Sequence, residues 1–138
     1  MRKKILIVED NSELLELMRL GLKQAGFRID TATNGVEALE LVRSTPPDLV
    51  VLDLVLPELD GFAVCDRLRK EEATASIPVI VLTGLSTEFA RFASLESGAD
   101  EYVTKPINPE HLVSKIKQLL ERPAKSRPAK PSRAAGVC

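Results

Sequence analysis

The sequence predicts an α/β domain built on a doubly wound parallel sheet. Apolar runs of about four residues, rich in valine and isoleucine, lie at 5–8, 49–52 and 79–82 and are typical of buried parallel strands. A pattern of short strand, turn and stretch of helical period repeats five times along the chain, so strands and helices alternate. This alternation implies right-handed crossovers, with helices on both faces of the sheet.

The spacing of the apolar runs sets the size of the sheet. The five strands are predicted at about 4–9, 27–32, 48–53, 77–82 and 100–104. Five strand–helix units are too few for an eight-stranded barrel. The expected fold is therefore a flavodoxin-like (βα)5 sheet with strand order 2-1-3-4-5.

Capping residues mark where the first two helices begin and end. Asn11 or Ser12 can cap the first helix, and Gly26 ends it. Asn34 caps the second helix, and Pro46-Pro47 closes that unit. Their apolar faces recur at helical spacing and comprise Leu14, Met18, Leu22 and Ala25 in the first helix and Ala38, Leu39 and Val42 in the second.

Three more helices are predicted after the third, fourth and fifth strands. The third covers about 62–71 and follows a loop over 54–61. In that loop, Asp60-Gly61 is a dipeptide typical of turns. The fourth begins near Ser86 and ends before Gly98. The fifth has Asn108 as N-cap and Pro109 at its first position. Its inward face comprises Leu112, Val113, Ile116 and Leu119.

Charge divides the chain into two parts. The net charge is −1, but residues 122–138 carry +5 and residues 1–121 carry −6. The tail is basic, proline-rich and without large apolar residues, so we expect a disordered segment or linker after a folded domain over 1–121. The acidic body is unsuited to nucleic acid, and the tail could bind it only weakly, by charge.

Cysteine use and hydropathy favour a cytoplasmic location. Cys65 and Cys138 form neither a CxxC pair nor a metal-binding spacing, which is typical of a reducing compartment. The first apolar run is too short for a signal peptide. No stretch is long enough to predict a membrane span.

Polar side chains follow four of the predicted strands. Glu9 and Asp10 follow the first, Asp53 ends the third, Thr83 follows the fourth and Lys105 follows the fifth. The carboxyl ends of parallel strands meet at one edge of the sheet, where ligands bind in such folds. The sequence therefore predicts a single polar site at this edge.

The residue types at this edge suggest a metal and a phosphoryl group. Clustered carboxylates repel one another unless a cation lies among them, and oxygen ligands suit Mg²⁺. A backbone carbonyl after the third strand, that of Val55, would complete the ligand set. Asp53 is the candidate nucleophile, with Lys105 and Thr83 contacting the phosphoryl oxygens.

The chain resembles the receiver domain of bacterial two-component response regulators, and in particular the stand-alone, chemotaxis-type regulators. The resemblance covers about residues 3–121. It rests on five segments in order, namely 4–10 (KILIVED), 47–53 (PDLVVLD), 56–61 (LPELDG), 77–83 (IPVIVLT) and 98–106 (GADEYVTKP).

The resemblance implies a role for each matching residue. Asp53 would accept a phosphoryl group from a histidine kinase or phosphotransfer protein. Glu9, Asp10, Asp53 and the Val55 carbonyl would hold Mg²⁺, for which Mn²⁺ can substitute. Lys105 would contact the phosphoryl group and form a cis peptide bond with Pro106. Thr83 and Tyr102 would act as the switch pair.

The resemblance also implies how the signal leaves the domain. The domain would pass on its signal by binding a partner protein through the face formed by the fourth helix, the fifth strand and the fifth helix. A dimer linked to phosphorylation is one such complex. The protein would be no enzyme beyond Mg²⁺-dependent self-phosphorylation and autodephosphorylation. Gly84 and Val55 depart from the commonest residues of the family, which leaves the phosphoryl lifetime open.

Three other functions are weighed against this one. A phosphatase of the haloacid-dehalogenase type would need an acid two residues after Asp53, where Val55 stands. A phosphorylation-independent binding module would not need the complete acidic, Thr and Lys set. The chain could also be the N-terminal receiver of a longer regulator.

Some polar and aromatic residues are expected to lie outside the site. We expect Asp100 and Glu101 to be turn and surface acids and His111 to lie on the surface. Phe89 and Phe92 are interpreted as packing residues of the fourth helix.

Overall fold

A computed structural model describes residues 2–84, 93 and 96–122. The strands are β1 (Lys4–Val8), β2 (Arg28–Ala32), β3 (Leu49–Asp53), β4 (Val79–Thr83) and β5 (Glu101–Thr104). The helices with full bounds are α1 (Ser12–Gln24), α2 (Gly35–Ser44), α3 (Gly61–Lys70) and the C-terminal helix (Pro109–Glu121).

All five strands are parallel, in the order β2-β1-β3-β4-β5. The predicted fold class and strand order are therefore confirmed. The predicted fourth helix lies largely outside the described residues, and Phe89 and Phe92 with it. So do residues 123–138 of the predicted tail.

Side-chain capping starts each of these helices. Asn11, not Ser12, caps α1, and its Oδ1 accepts from the N–H of Leu14 at 2.9 Å. Asn34 and Asp60 cap α2 and α3 in the same way. Asn108 Oδ1 accepts from two N–H groups of the C-terminal helix, and Pro109 at its first position has no N–H to satisfy.

Two apolar layers cover the two faces of the sheet. Ile5 and Ile7 face Met18 and Leu22 of α1 and Leu112 and Ile116 of the C-terminal helix. On the other face, a second buried cluster joins strand residues such as Leu6 to α2 and α3. Strands β3 and β4 are buried at every position, as expected for central strands covered on both sides.

Asp100 departs from the expectation of a surface acid. Its side chain is 8% exposed and forms an ion pair at 2.8 Å with Arg69, which is 3% exposed. Asp100 Oδ2 also accepts from the N–H of Val79 at 2.8 Å, where β4 begins. The prediction for Asp100 is wrong because its partner, Arg69, is distant in sequence and approaches only in the folded chain. Glu101 is half-buried and pairs with Lys115 at 3.2 Å.

Candidate functional site at the carboxyl edge of the sheet

Register places the predicted site residues at neighbouring strand ends. Val8 pairs with Leu52, and Asp53 pairs with Leu82, so Glu9 and Asp53 leave adjacent strands at the same edge. Thr83 pairs with Thr104, which brings Lys105 to that edge as well. The fold therefore gathers these side chains from β1, β3, β4 and β5.

Three carboxylates form the centre of the site. Glu9, Asp10 and Asp53 each place one carboxylate oxygen within 4.8 Å of the other two. Glu9 and Asp53 are 1% and 3% exposed, whereas Asp10 is open to solvent. The cluster thus combines two buried carboxyl groups with one that is exposed to solvent.

The burial of Glu9 has an electrostatic consequence. Its Oε2 accepts from the N–H of Asn11 at 3.1 Å, but among the described residues its buried Oε1 has no hydrogen-bond partner. Burial raises the pKa of Glu9 from 4.5 to about 7. The hydrogen bond from Asn11 opposes this rise, while the neighbouring Asp53 carboxylate adds to it.

Lys105 is the cation of the site. Its Nζ donates to Asp53 Oδ2 at 3.1 Å and lies 3.4 Å from Glu9 Oε1. Burial acts to lower the pKa of Lys105, but the hydrogen bond and charge of Asp53 outweigh it, so that pKa lies above its ordinary value. Lys105 therefore stays charged and offsets part of the carboxylate charge. The peptide bond from Lys105 to Pro106 is cis.

The segment after β3, residues 54–61, lies against the site and is called the acceptor loop below. Asp53 Oδ1 accepts from the N–H of Val55 at 3.3 Å, and the Val55 side chain is 79% exposed. The N–H of Gly61 donates to the Leu54 carbonyl at 3.0 Å and closes the loop. Asp53 is thus held by its own loop as well as by Lys105.

The residues of this site suit a hard divalent cation. The available ligand atoms are oxygens of three carboxyl groups, and within the described part of the chain Glu9 Oε1 is buried without a hydrogen-bond partner. Mg²⁺ prefers such ligands and keeps some of its waters, which the open side at Asp10 allows.

Thr83 and Tyr102 occupy different positions relative to this cluster. Thr83 is the last residue of β4 and is 3% exposed. Tyr102 lies in β5, two residues before its end, and packs half-buried against the core. It also lines an open cleft of about 700 Å³ beside the C-terminal helix, together with His111 and Lys115.

Two groups in the structure escaped the sequence reasoning. The backbone N–H of Asn11 donates to Glu9 Oε2, but every residue except proline has such an N–H, so the residue type does not predict this bond. Arg69 donates to three backbone carbonyls and to Asp100, a set that no spacing in the sequence indicates.

Fold and site together define a class of protein, the doubly wound α/β domains with an acid-rich site at the carboxyl edge of the sheet. Within this class the chain belongs to the response regulator receiver domain family, whose model matches residues 5–117. Members of this family are signalling modules of two-component systems.

Comparison with curated proteins and solved structures agrees with this family. The chain is 40% identical over 119 residues to the DNA-binding dual master transcriptional regulator RpaA of Synechocystis, covering 86% of this chain and 49% of that protein. It is 40% identical over 122 residues to the alkaline phosphatase synthesis transcriptional regulatory protein PhoP of Bacillus subtilis, covering 88% and 50%. The chain thus spans about half the length of these relatives.

A solved structure shows the same architecture. A putative response regulator from Chloroflexus aurantiacus superposes with a TM-score of 0.86 at 34% identity, covering 88% of this chain and all of that one. No helix in the described part of the chain is long and apolar enough to cross a membrane.

Proposed function

We propose that the protein is a phosphorylation switch that accepts a phosphoryl group on Asp53. The observation that carries the proposal is the position of Lys105, whose ammonium reaches both Asp53 and Glu9 at the edge of a cluster of three carboxylates. A cation beside a buried carboxylate nucleophile supports phosphoryl transfer to that carboxylate, because it can offset the charge on the transferred oxygens.

Each side chain has a distinct task in this proposal. An Asp53 oxygen attacks the phosphorus atom while the bond from phosphorus to the donor breaks and the donor leaves with its electron pair. Lys105 neutralises charge on the transferred oxygens, and the Thr83 hydroxyl donates to one of them. Glu9, Asp10, Asp53 and the Val55 carbonyl would hold Mg²⁺. When bound, Mg²⁺ supplies positive charge that offsets the carboxylates and the phosphoryl oxygens.

Acetyl phosphate provides a direct test. The intact protein is incubated with acetyl phosphate and Mg²⁺, and its mass is followed by mass spectrometry. We expect the gain of one phosphoryl group in the wild-type protein and none in Asp53→Asn, which keeps the side-chain size but removes the nucleophile. Labelling of Asp53→Asn to the wild-type extent would refute the assignment of the acceptor.

The output proposal concerns the face formed by β5 and the C-terminal helix. We propose that Thr83 and Tyr102 change position with the phosphoryl group and alter the face formed by β5 and the C-terminal helix. The open cleft beside Tyr102 supports this proposal, because a protein partner could detect a change in that side chain. The donor would be a cytoplasmic histidine kinase or phosphotransfer protein.

The relatives favour a second candidate for the whole protein. The match covers 49% of RpaA and 50% of PhoP, and RpaA is named as a DNA-binding regulator. In that candidate, residues 1–121 form the receiver of a transcriptional regulator and 122–138 form the linker to a further domain. The intact mass of the native protein distinguishes the two, because a stand-alone regulator would end near residue 138.

A further inference from the structure

The acceptor loop is tied to the rest of the domain at its two ends. The N–H of Leu54 donates to the Leu82 carbonyl of β4 at 3.0 Å, and Gly61 closes the loop on Leu54. A Cβ atom on Gly61 would lie 2.4 Å from the Asp53 carbonyl oxygen, closer than side-chain carbons approach such atoms. The first residue of α3 therefore lies directly against the backbone of Asp53.

A second glycine contacts the tip of the same loop from another element. Gly35 is buried and is the first residue of α2. A Cβ atom there would lie 2.1 Å from the Leu59 carbonyl oxygen and 2.8 Å from both Leu59 Cβ and Val64 Cγ2. The loop tip therefore packs on the bare backbone of α2, which no side chain at position 35 would allow.

The loop tip has little freedom to absorb a displacement. The Leu59 N–H donates to the Pro57 carbonyl at 2.8 Å, and Glu58 between them has a φ of 69°. A left-handed backbone at a residue other than glycine persists only where its surroundings determine it. A shift of Leu59 is therefore expected to pass along the loop towards Val55 and Asp53.

We propose that Gly35 is a positioning residue for phosphoryl acceptance: its backbone seats the acceptor loop and so fixes Asp53 and the Val55 carbonyl. This inference rests on the proposed function. To restore an ordinary contact, a methyl group at position 35 must move Leu59 by about 1 Å, given how tightly protein interiors are packed. Misplacement by about 1 Å can slow a reaction by about 100-fold.

The test compares Gly35→Ala with a matched control, Gly21→Ala. Gly21 also lies in a helix, and its added Cβ would lie 2.9 Å from Pro109 Cβ, at the contact between α1 and the C-terminal helix. Amide chemical shifts of each folded variant are recorded without metal and during titration with MgCl₂. The rate of phosphorylation by acetyl phosphate is then measured at saturating Mg²⁺.

We expect Gly35→Ala to change the amide chemical shifts of residues 54–61. We also expect it to bind Mg²⁺ about tenfold more weakly, as is usual when a residue that supports a metal ligand is replaced. Its phosphorylation should stay slow at saturating Mg²⁺, whereas Gly21→Ala should match the wild type in both properties. If Gly35→Ala does not fold, Leu59→Gly, which removes the Leu59 side chain that packs at Gly35, should show both losses to a smaller extent.

Two results would overturn the inference. One is a Mg²⁺ affinity and a phosphorylation rate equal to those of the wild type in folded Gly35→Ala. If Gly35→Ala does not fold, the same result in Leu59→Gly would overturn the inference. The other is equal losses in Gly21→Ala, which would reflect general destabilisation. A wild-type protein that accepts no phosphoryl group would instead refute the proposed function, and the inference with it.

Discussion

Replacing Arg69 by methionine should strongly destabilise the fold. The guanidinium donates to the carbonyls of Gly98, Ala75 and Ile77 at 2.8, 3.1 and 2.7 Å and to Asp100 at 2.8 Å. Methionine keeps most of the apolar stem but removes all four hydrogen bonds. The carboxylate of Asp100 would then stay buried without its cation.

The magnitude follows from the burial of this pair. Removing one partner of a buried ion pair costs about 3–5 kcal/mol, because the other charge is left uncompensated. The free energy of unfolding of an ordinary domain is about 5–15 kcal/mol, so the loss is a large fraction of it. Asp100→Asn should cost less, because the amide oxygen can still accept from the N–H of Val79.

Urea denaturation followed by circular dichroism measures this loss. Arg19→Met is the matched control, because Arg19 is also a helical arginine but pairs with Glu16 on the surface. That substitution should leave the free energy of unfolding almost unchanged, because a solvent-exposed ion pair contributes little to stability. The reasoning would be refuted if Arg69→Met and Arg19→Met lowered the free energy of unfolding equally.

Three further predictions concern the site and one helix. Lys105→Ala should leave Mg²⁺ binding intact, since no metal ligand is lost, but slow phosphorylation by acetyl phosphate about 100-fold or more; an unchanged rate would contradict the role of Lys105. Without Mg²⁺, the folded state holds a proton on Glu9 more tightly than the unfolded state, so stability should fall between pH 4.5 and about 7 by at most about 3 kcal/mol. In urea titrations, Glu9→Gln should abolish this pH dependence of stability. In the wild-type protein, Mg²⁺ affinity measured by calorimetry should rise over the same pH range, and a pH-independent affinity would argue against protonation of Glu9 in the metal-free site. Asn108→Ala should cost about 1 kcal/mol through loss of the helix cap, measured by thermal unfolding, with no change in phosphorylation.

Local patterns account for the features that sequence predicted well. Central strands are buried on both faces, so their apolar runs are continuous and their ends are sharp, as at Asp53. Asn34 and Asn108 indicate helix starts because a short side chain must accept from the first turn. The gathering of Glu9, Asp53 and Lys105 follows from parallel strands alone.

Features that depend on distant segments could not be predicted in this way. Asp100 has the composition of a surface turn, and only the folded chain brings Arg69 to it. The left-handed backbone at Glu58 is a property of the closed loop, not of a glutamate. The contact between Gly35 and Leu59 depends on how α2 packs beside the loop before α3.

The buried pair of Arg69 and Asp100 lies at the amino edge of the sheet, where β4 and β5 begin, whereas the carboxylates lie at the opposite edge. At the amino edge both charges are matched and hydrogen-bonded. At the carboxyl edge three carboxyl groups share the single cation Lys105 among the described residues, and one of their buried oxygens, Glu9 Oε1, has no hydrogen-bond partner there. Substitutions that loosen the domain and substitutions that change its chemistry should therefore map to opposite ends of the same strands. Such a division would let the reactive end diversify without loss of the scaffold.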